Sequence, residues 1–148
     1  MIALDTNVLA YAHREDSPQH ERAAEALSAA VLGPVSVGIP WPCVHEFLAI
    51  VTHPRIYDPP TAMSQALVAI GQLADQPTVR FLPEEGHHLA MLTGLLKDSA
   101  VVGPKVHDAR IAAICLGHGV SVLWTADRDF SWFPNLRTHN PLASGGSR

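Results

Sequence analysis

Short apolar runs alternate with stretches of helical spacing along the whole of this 148-residue chain. Residues 1–4, 35–39, 79–82 and 120–125 read as strands that are apolar on both faces. A strand of that kind must be covered from two sides. The intervening stretches supply the cover: residues 62–74, for example, place Met63, Leu67, Ile70 and Leu73 on one helical face. Strand, helix, strand in regular alternation predicts an α/β fold of three layers, with a short, mostly parallel central sheet and helices on both faces.

Punctuation residues set the expected boundaries. A helix over residues 8–13 follows the first strand, and Ser17-Pro18 marks the start of the next, with Ser17 as N-cap and a stop near Gly33-Pro34. Pro42 opens a helix that His53-Pro54 closes. Further helices are expected at 84–97, with Glu84 and Glu85 in the first turn, and at 107–116, closed by Gly117 or Gly119. Residues 99–106 read as a loop and 136–139 as a short edge strand. Residues 1–142 form one domain in this reading, and 143–148 a flexible Gly/Ser-rich tail.

Hydrophobic residues make up 47% of the chain and charged residues 16%, which excludes a disordered polymer. The net charge of −4 argues against a general polyanion binder, so any nucleic acid must be held by local bases such as Arg14, Lys97, Lys105, Arg110 and Arg128, by a metal or by a partner. Cys43 and Cys115 are too few for a disulfide scaffold and read as reduced core residues. With neither a basic leader nor an uninterrupted apolar span, the expected location is cytoplasmic, away from the membrane.

Against this apolar background, four acids stand where strands end or helices begin. Asp5 closes Ile2-Ala3-Leu4, and Asp127 follows Val122-Leu123-Trp124-Thr125-Ala126. Glu46 lies in the first turns of the helix after the second strand, and Asp108 opens the helix before the last strand. In a parallel α/β sheet these positions gather at the carboxyl edge, where ligands bind. Glu46 is three residues after Cys43, and Asp108 three before Ile111, so both are expected on inward stripes. Clustered carboxylates repel one another, and a hard divalent cation, Mg²⁺ or Mn²⁺, would relieve them. Each acid also has an ordinary structural reading: Asp5 as an N-cap, Asp108 as a first-turn acid, Asp127 and Asp129 as turn residues.

Met-Ile-Ala-Leu-Asp5-Thr6-Asn7, Val-His-Glu46-Phe, Val-His-Asp108-Ala-Arg and Trp-Thr125-Ala-Asp127-Arg-Asp129-Phe resemble the PIN-domain nucleases, and within them the VapC-type toxins of bacterial toxin–antitoxin pairs. The resemblance spans residues 1 to about 141. It implies a Mg²⁺-dependent endoribonuclease that cuts structured RNA with metal-activated water, leaving 5′-phosphate and 3′-hydroxyl ends and so inhibiting translation. A tRNA anticodon loop is the first expected target and ribosomal RNA the second. Asp5 and Asp108 would bind metal directly, with Glu46 and Asp127 completing the catalytic and metal site. Thr6 and Thr125 would orient carboxylates, Asn7 would support them, and Asp129 matches a more variable acid. A VapB-like antitoxin is implied as partner, and homodimerisation is common in the family, with helices at 20–32 and 62–74 as interface elements.

Three other readings compete. Nine histidines, among them His45, His87, His88 and His107, allow metal-free acid–base cleavage, although no HExxH pattern occurs. A phosphoacceptor domain would need an aspartate ending a central strand, which 35–39 and 79–82 lack. A PIN-like binding module without catalysis would not need the full set of acids.

Overall fold

The computed structural model describes residues 1–143. Of the expected tail only Ala143 falls among them, and 144–148 lie outside the described residues. Five strands, β1 (Ile2–Leu4), β2 (Val37–Pro40), β3 (Val79–Leu82), β4 (Val122–Trp124) and β5 (Thr138–His139), form one sheet in the order β3-β2-β1-β4-β5. Every pairing is parallel, with Ile2 opposite Val37 on one side and Val122 on the other. The N-terminal strand is therefore the central one.

Six helices cover the sheet: α1 (Thr6–His13), α2 (His20–Val31), α3 (Trp41–Val51), α4 (Met63–Ala74), α5 (His88–Ser99) and α6 (Val106–Gly117). α1 packs on α2 and α3, and α3 on α4, while α5 and α6 pack on each other. Growth from β1 to β3 runs one way across the sheet and the β3-to-β4 connection returns, so right-handed crossovers place these two groups on opposite faces. Consecutive residues of a strand point to opposite faces, and Ala3 and Leu4 are both fully buried, as expected for a sheet covered twice. Phe47, Ile114, Phe130 and Phe133 fill the space around it.

Several boundaries differ from the sequence reading, each for a local reason. Ser17 accepts a hydrogen bond from the Gln19 N–H at 3.2 Å, forming a turn, and α2 begins later, at His20. β2 runs to Pro40, which at the last strand position gives up no ladder bond. α5 begins at His88 rather than 84, because Pro83 and Gly86 disfavour helix there and Glu84 turns to Arg110 instead. Gly103–Lys105 and Arg128–Trp132 are 3₁₀ turns within stretches read as irregular.

Candidate metal centre

Asp5 leaves the central strand and caps α1 at the same time. Its backbone is extended, and its Oδ1 accepts the Thr6 N–H at 2.8 Å, with the Cys43 thiol 3.6 Å away. Its Oδ2 accepts the Thr125 hydroxyl at 2.7 Å and the Asn7 amide at 3.4 Å. Only 5% of the residue is exposed. Burial raises its pKa above the ordinary value, and the charge of Glu46 adds to this, while the bonds from Thr125, Thr6 and Cys43 oppose it. The structural reading of Asp5 as a cap and the functional one thus describe the same side chain.

Thr125 joins the two ends of the sequence. Besides donating to Asp5, its oxygen accepts the Asp127 N–H at 2.9 Å and the Asn7 amide at 3.3 Å. Asn7 completes the link by accepting the Ala126 N–H at 3.1 Å. Its role is larger than the sequence implied, because it ties the start of α1 to the end of β4. The signal for it was only its place two residues after Asp5.

Beyond this hinge, Asp127 caps the 3₁₀ turn by accepting the Asp129 N–H at 2.8 Å. That turn swings Asp129 back toward Asp108, in the first turn of α6. Carboxylate oxygens of Asp108, Asp127 and Asp129 all lie within 4.8 Å of one another. The Asp108 carboxyl is pushed up to about 6, first by desolvation, then by the charges of Asp127, Asp129 and Asp5, with Lys105 opposing. Lys105 Nζ sits 3.1 Å from Asp129.

Glu46 requires a correction. It is exposed, whereas the buried stripe of α3 is Cys43, Val44, Phe47 and Val51. Spacing from Cys43 put it on the margin of that stripe, and the margin faces an open pocket instead of the core. It lines this cavity of about 320 Å³ together with Asp5, Thr6, Asn7, Asp108 and Asp127. Asp108 likewise is half-buried at the pocket wall instead of pointing into the core. Asp129, the weakest of the expected acids, is the one that closes the tight group with Asp108 and Asp127.

The donor set fits a hard divalent cation. It consists of carboxylate oxygens, the proton affinity of Asp108 within it is raised by burial and then by its acidic neighbours, and it opens to solvent on one side. A further sign is the hydroxyl oxygen of Thr6, buried beside Asp5 with no hydrogen-bond partner among the described residues. A coordinated water or ion shell would satisfy it.

The other chemistries find no such geometry. His45 stacks on Trp41, His87 rests against Gly117, and His88 faces Glu84 at 3.6 Å, so none of the three lines the acidic pocket. Of the expected basic residues, Arg14 is bound to Asp16 and lies over the Tyr57 ring, and Arg110 is paired with Glu84. Among the described residues, Lys105 is the one base paired with an acid of this group, Asp129.

Comparison with known proteins agrees with this architecture. The profile of the PIN domain family matches residues 2–135. Ribonuclease VapC48 of Mycobacterium tuberculosis is 30% identical over 139 residues, covering 94% of this chain and 96% of its own. Ribonuclease VapC43 of the same species is 33% identical over 143 residues, with 96% of both chains covered. Among solved structures, VapBC2 of Rickettsia felis, bound to a promoter DNA fragment, superposes with a TM-score of 0.68 at 17% identity, covering 95% of this chain and 98% of that one. Mycobacterium tuberculosis VapC20, described as a Sarcin-Ricin loop cleaving toxin, gives 0.67 at 17% identity over 88% and 93%. A five-stranded parallel sheet whose acids meet at its carboxyl edge, matched over nearly its whole length by VapC proteins, belongs to the PIN domain family and to the VapC group within it.

Proposed function

We propose that this chain is a divalent-cation-dependent endoribonuclease and the toxin of a toxin–antitoxin pair. The observation that carries the reading is the convergence of Asp108, Asp127 and Asp129 within 4.8 Å, on the rim of a pocket that Asp5 and Glu46 also line. The ribonuclease names of its relatives support it.

Asp5 and Asp108 would hold the cation, Mg²⁺ or Mn²⁺, with Glu46 and Asp127 completing the site and Asp129 beside them. Bound there, the cation supplies neutralisation of the scissile phosphate and an acidified water. Thr125 and the Thr6 N–H fix the Asp5 carboxylate, and Asn7 holds the β4 end against α1. The acids unaided would repel a phosphate, so affinity for RNA and affinity for metal rise together. Hydrolysis leaves 5′-phosphate and 3′-hydroxyl ends.

Purified chain with Mg²⁺ should cut RNA, and EDTA should abolish cutting. Asp5→Asn and Asp108→Asn should each lower the rate by more than about a hundredfold. Wild-type rates in both variants with excess Mg²⁺ would sink the reading. Cleavage that survives EDTA and leaves a 2′,3′-cyclic phosphate would favour histidine chemistry instead.

The target is a structured RNA, with a tRNA anticodon loop placed first and ribosomal RNA second, because unpaired loop bases can reach a pocket of this size. Mapping of RNA 5′-ends after brief induction decides between them. The partner is a VapB-like antitoxin whose C-terminal segment covers the acidic groove, with a basic side chain set among the carboxylates. Exposed Met63, Leu67 and Val68 on α4 and Leu32 after α2 offer apolar surface for that protein or for a second copy of this chain. Co-purification with the product of a neighbouring reading frame, and the mass of the chain in solution, test these two contacts separately.

A further inference from the structure

A second cavity, of about 570 Å³, opens beside the acidic pocket and shares Asp108 with it. Its lining includes apolar side chains. Trp132, 50% exposed, and Val102, 79% exposed, both line it, together with Pro104. Lys105 and Asp129, in contact at 3.1 Å, form the lip nearest the acids.

The exposure of Trp132 is built in. Phe130 and Phe133, on either side of it, are each only 1% exposed and anchor the segment in the core. The 3₁₀ turn Arg128–Trp132, started by the Asp127 cap, buries Phe130 and leaves Trp132 exposed. In the other segment that lines the cavity, Ala100 takes a left-handed φ of 58° and Gly103 one of 65°, which bend the chain between α5 and α6. A large aromatic ring thus stands half in water next to the candidate reaction centre.

We propose that this cavity is a nucleobase subsite, in which Trp132 stacks on an unpaired base next to the scissile phosphate while Lys105 meets an adjoining phosphate. The proposal rests on the ribonuclease reading and adds a specificity-determining residue to it. Three features point to a base over another occupant. The cavity is continuous with the place where the phosphate would sit, so the nucleotide attached to that phosphate is the nearest available group. Its wall has the flat aromatic surface that single-stranded nucleic acid uses. Its one cation lies on the phosphate side and can exchange Asp129 for a phosphate oxygen.

The test uses full-length chain and a short single-stranded RNA of mixed sequence, with Ca²⁺ in place of Mg²⁺, read by tryptophan fluorescence and by a separate binding assay. Wild-type fluorescence should be quenched by the RNA. Trp132→Phe should keep affinity within a few-fold and lose most of the quenching, and Trp132→Ala should bind about tenfold more weakly. Val102→Ser, at a site too exposed to threaten folding, should weaken binding in the same direction. An RNA with abasic positions flanking the cut should bind wild type more weakly and Trp132→Ala no more weakly than intact RNA does. In cleavage assays with Mg²⁺, Trp132→Ala should raise KM and leave kcat nearly unchanged. Unchanged affinity and KM in Trp132→Ala, or abasic losses equal in the two chains, would overturn the subsite while leaving the nuclease standing. Absence of any Mg²⁺-dependent cleavage by wild type would instead remove the reading beneath it, and the binding arm would report separately on whether a base docks at Trp132.

Discussion

Thr125 holds three partners with one oxygen, and each is part of the acidic centre or its support. Thr125→Val keeps the shape and loses them all, leaving Asp5 Oδ2 without its 2.7 Å donor and the Asp127 N–H without an acceptor. RNA cleavage should fall about 10- to 100-fold, and urea denaturation should show a loss of about 1–3 kcal/mol. Asp129→Asn should weaken Mn²⁺ binding measured by calorimetry, since it removes one charge from the closest carboxylate group. The acids themselves were readable in the sequence because an acid after an apolar strand has few other uses. Asp129 was less readable, since its position depends on a 3₁₀ turn that Asp127 creates with its own side chain. Glu46 was expected on the inward stripe and is exposed at the pocket instead, because three-residue spacing from Cys43 reaches the margin of a stripe as readily as its middle.

Among the elements, β2 lies between β1 and β3 and tolerates no added bulk at Gly38. A Cβ there would come within 2.6 Å of Leu82 Cδ1 and 2.9 Å of Met1 Sδ, and Leu82 is buried. Gly38→Ala should cost about 1–3 kcal/mol, visible as a lower melting temperature. Gly117→Ala is a useful contrast. The atom in its way, His87 Nε2 at 2.8 Å, belongs to an exposed side chain that can swing aside, so its melting temperature should change little. The alternation of strands and helices was legible because double-sided burial leaves β1, β2 and β4 apolar along their length, whereas β3 carries the exposed Arg80 and β5 is polar. Element ends were less so. Pro83 and Gly86 moved the start of α5 to His88, and the turn at Ser17 delayed α2, both by backbone preferences that compete with side-chain periodicity.

At the scale of the molecule, the burial of Asp108 and then the charges of the acids around it link folding to pH and to metal. Asp108 holds its proton up to about pH 6 in the folded chain, against an ordinary value of 3.8. The folded state therefore binds more protons than the unfolded one in that interval, and stability is lost as pH rises through it. Without divalent cations, the melting temperature of wild type should fall relative to Asp108→Asn between pH 4 and about 6, then run parallel above it. Added Mn²⁺ should restore wild type most strongly above pH 6 and shift the variant less, because cation and proton compete for the same oxygens. A curve without that crossover would show that the acids do not act as one group.

The central position of β1 has one more consequence, for the order in which the molecule comes into being. Asp5 precedes the hydroxyl that aims it by 120 residues of chain, and that hydroxyl follows the strand beside it. Until Thr125 emerges, β1 lacks one neighbour and Asp5 lacks its principal donor. The pocket that Asp5 lines with Asp108 and Asp127 is therefore assembled only once nearly all of the sequence described here is free to fold.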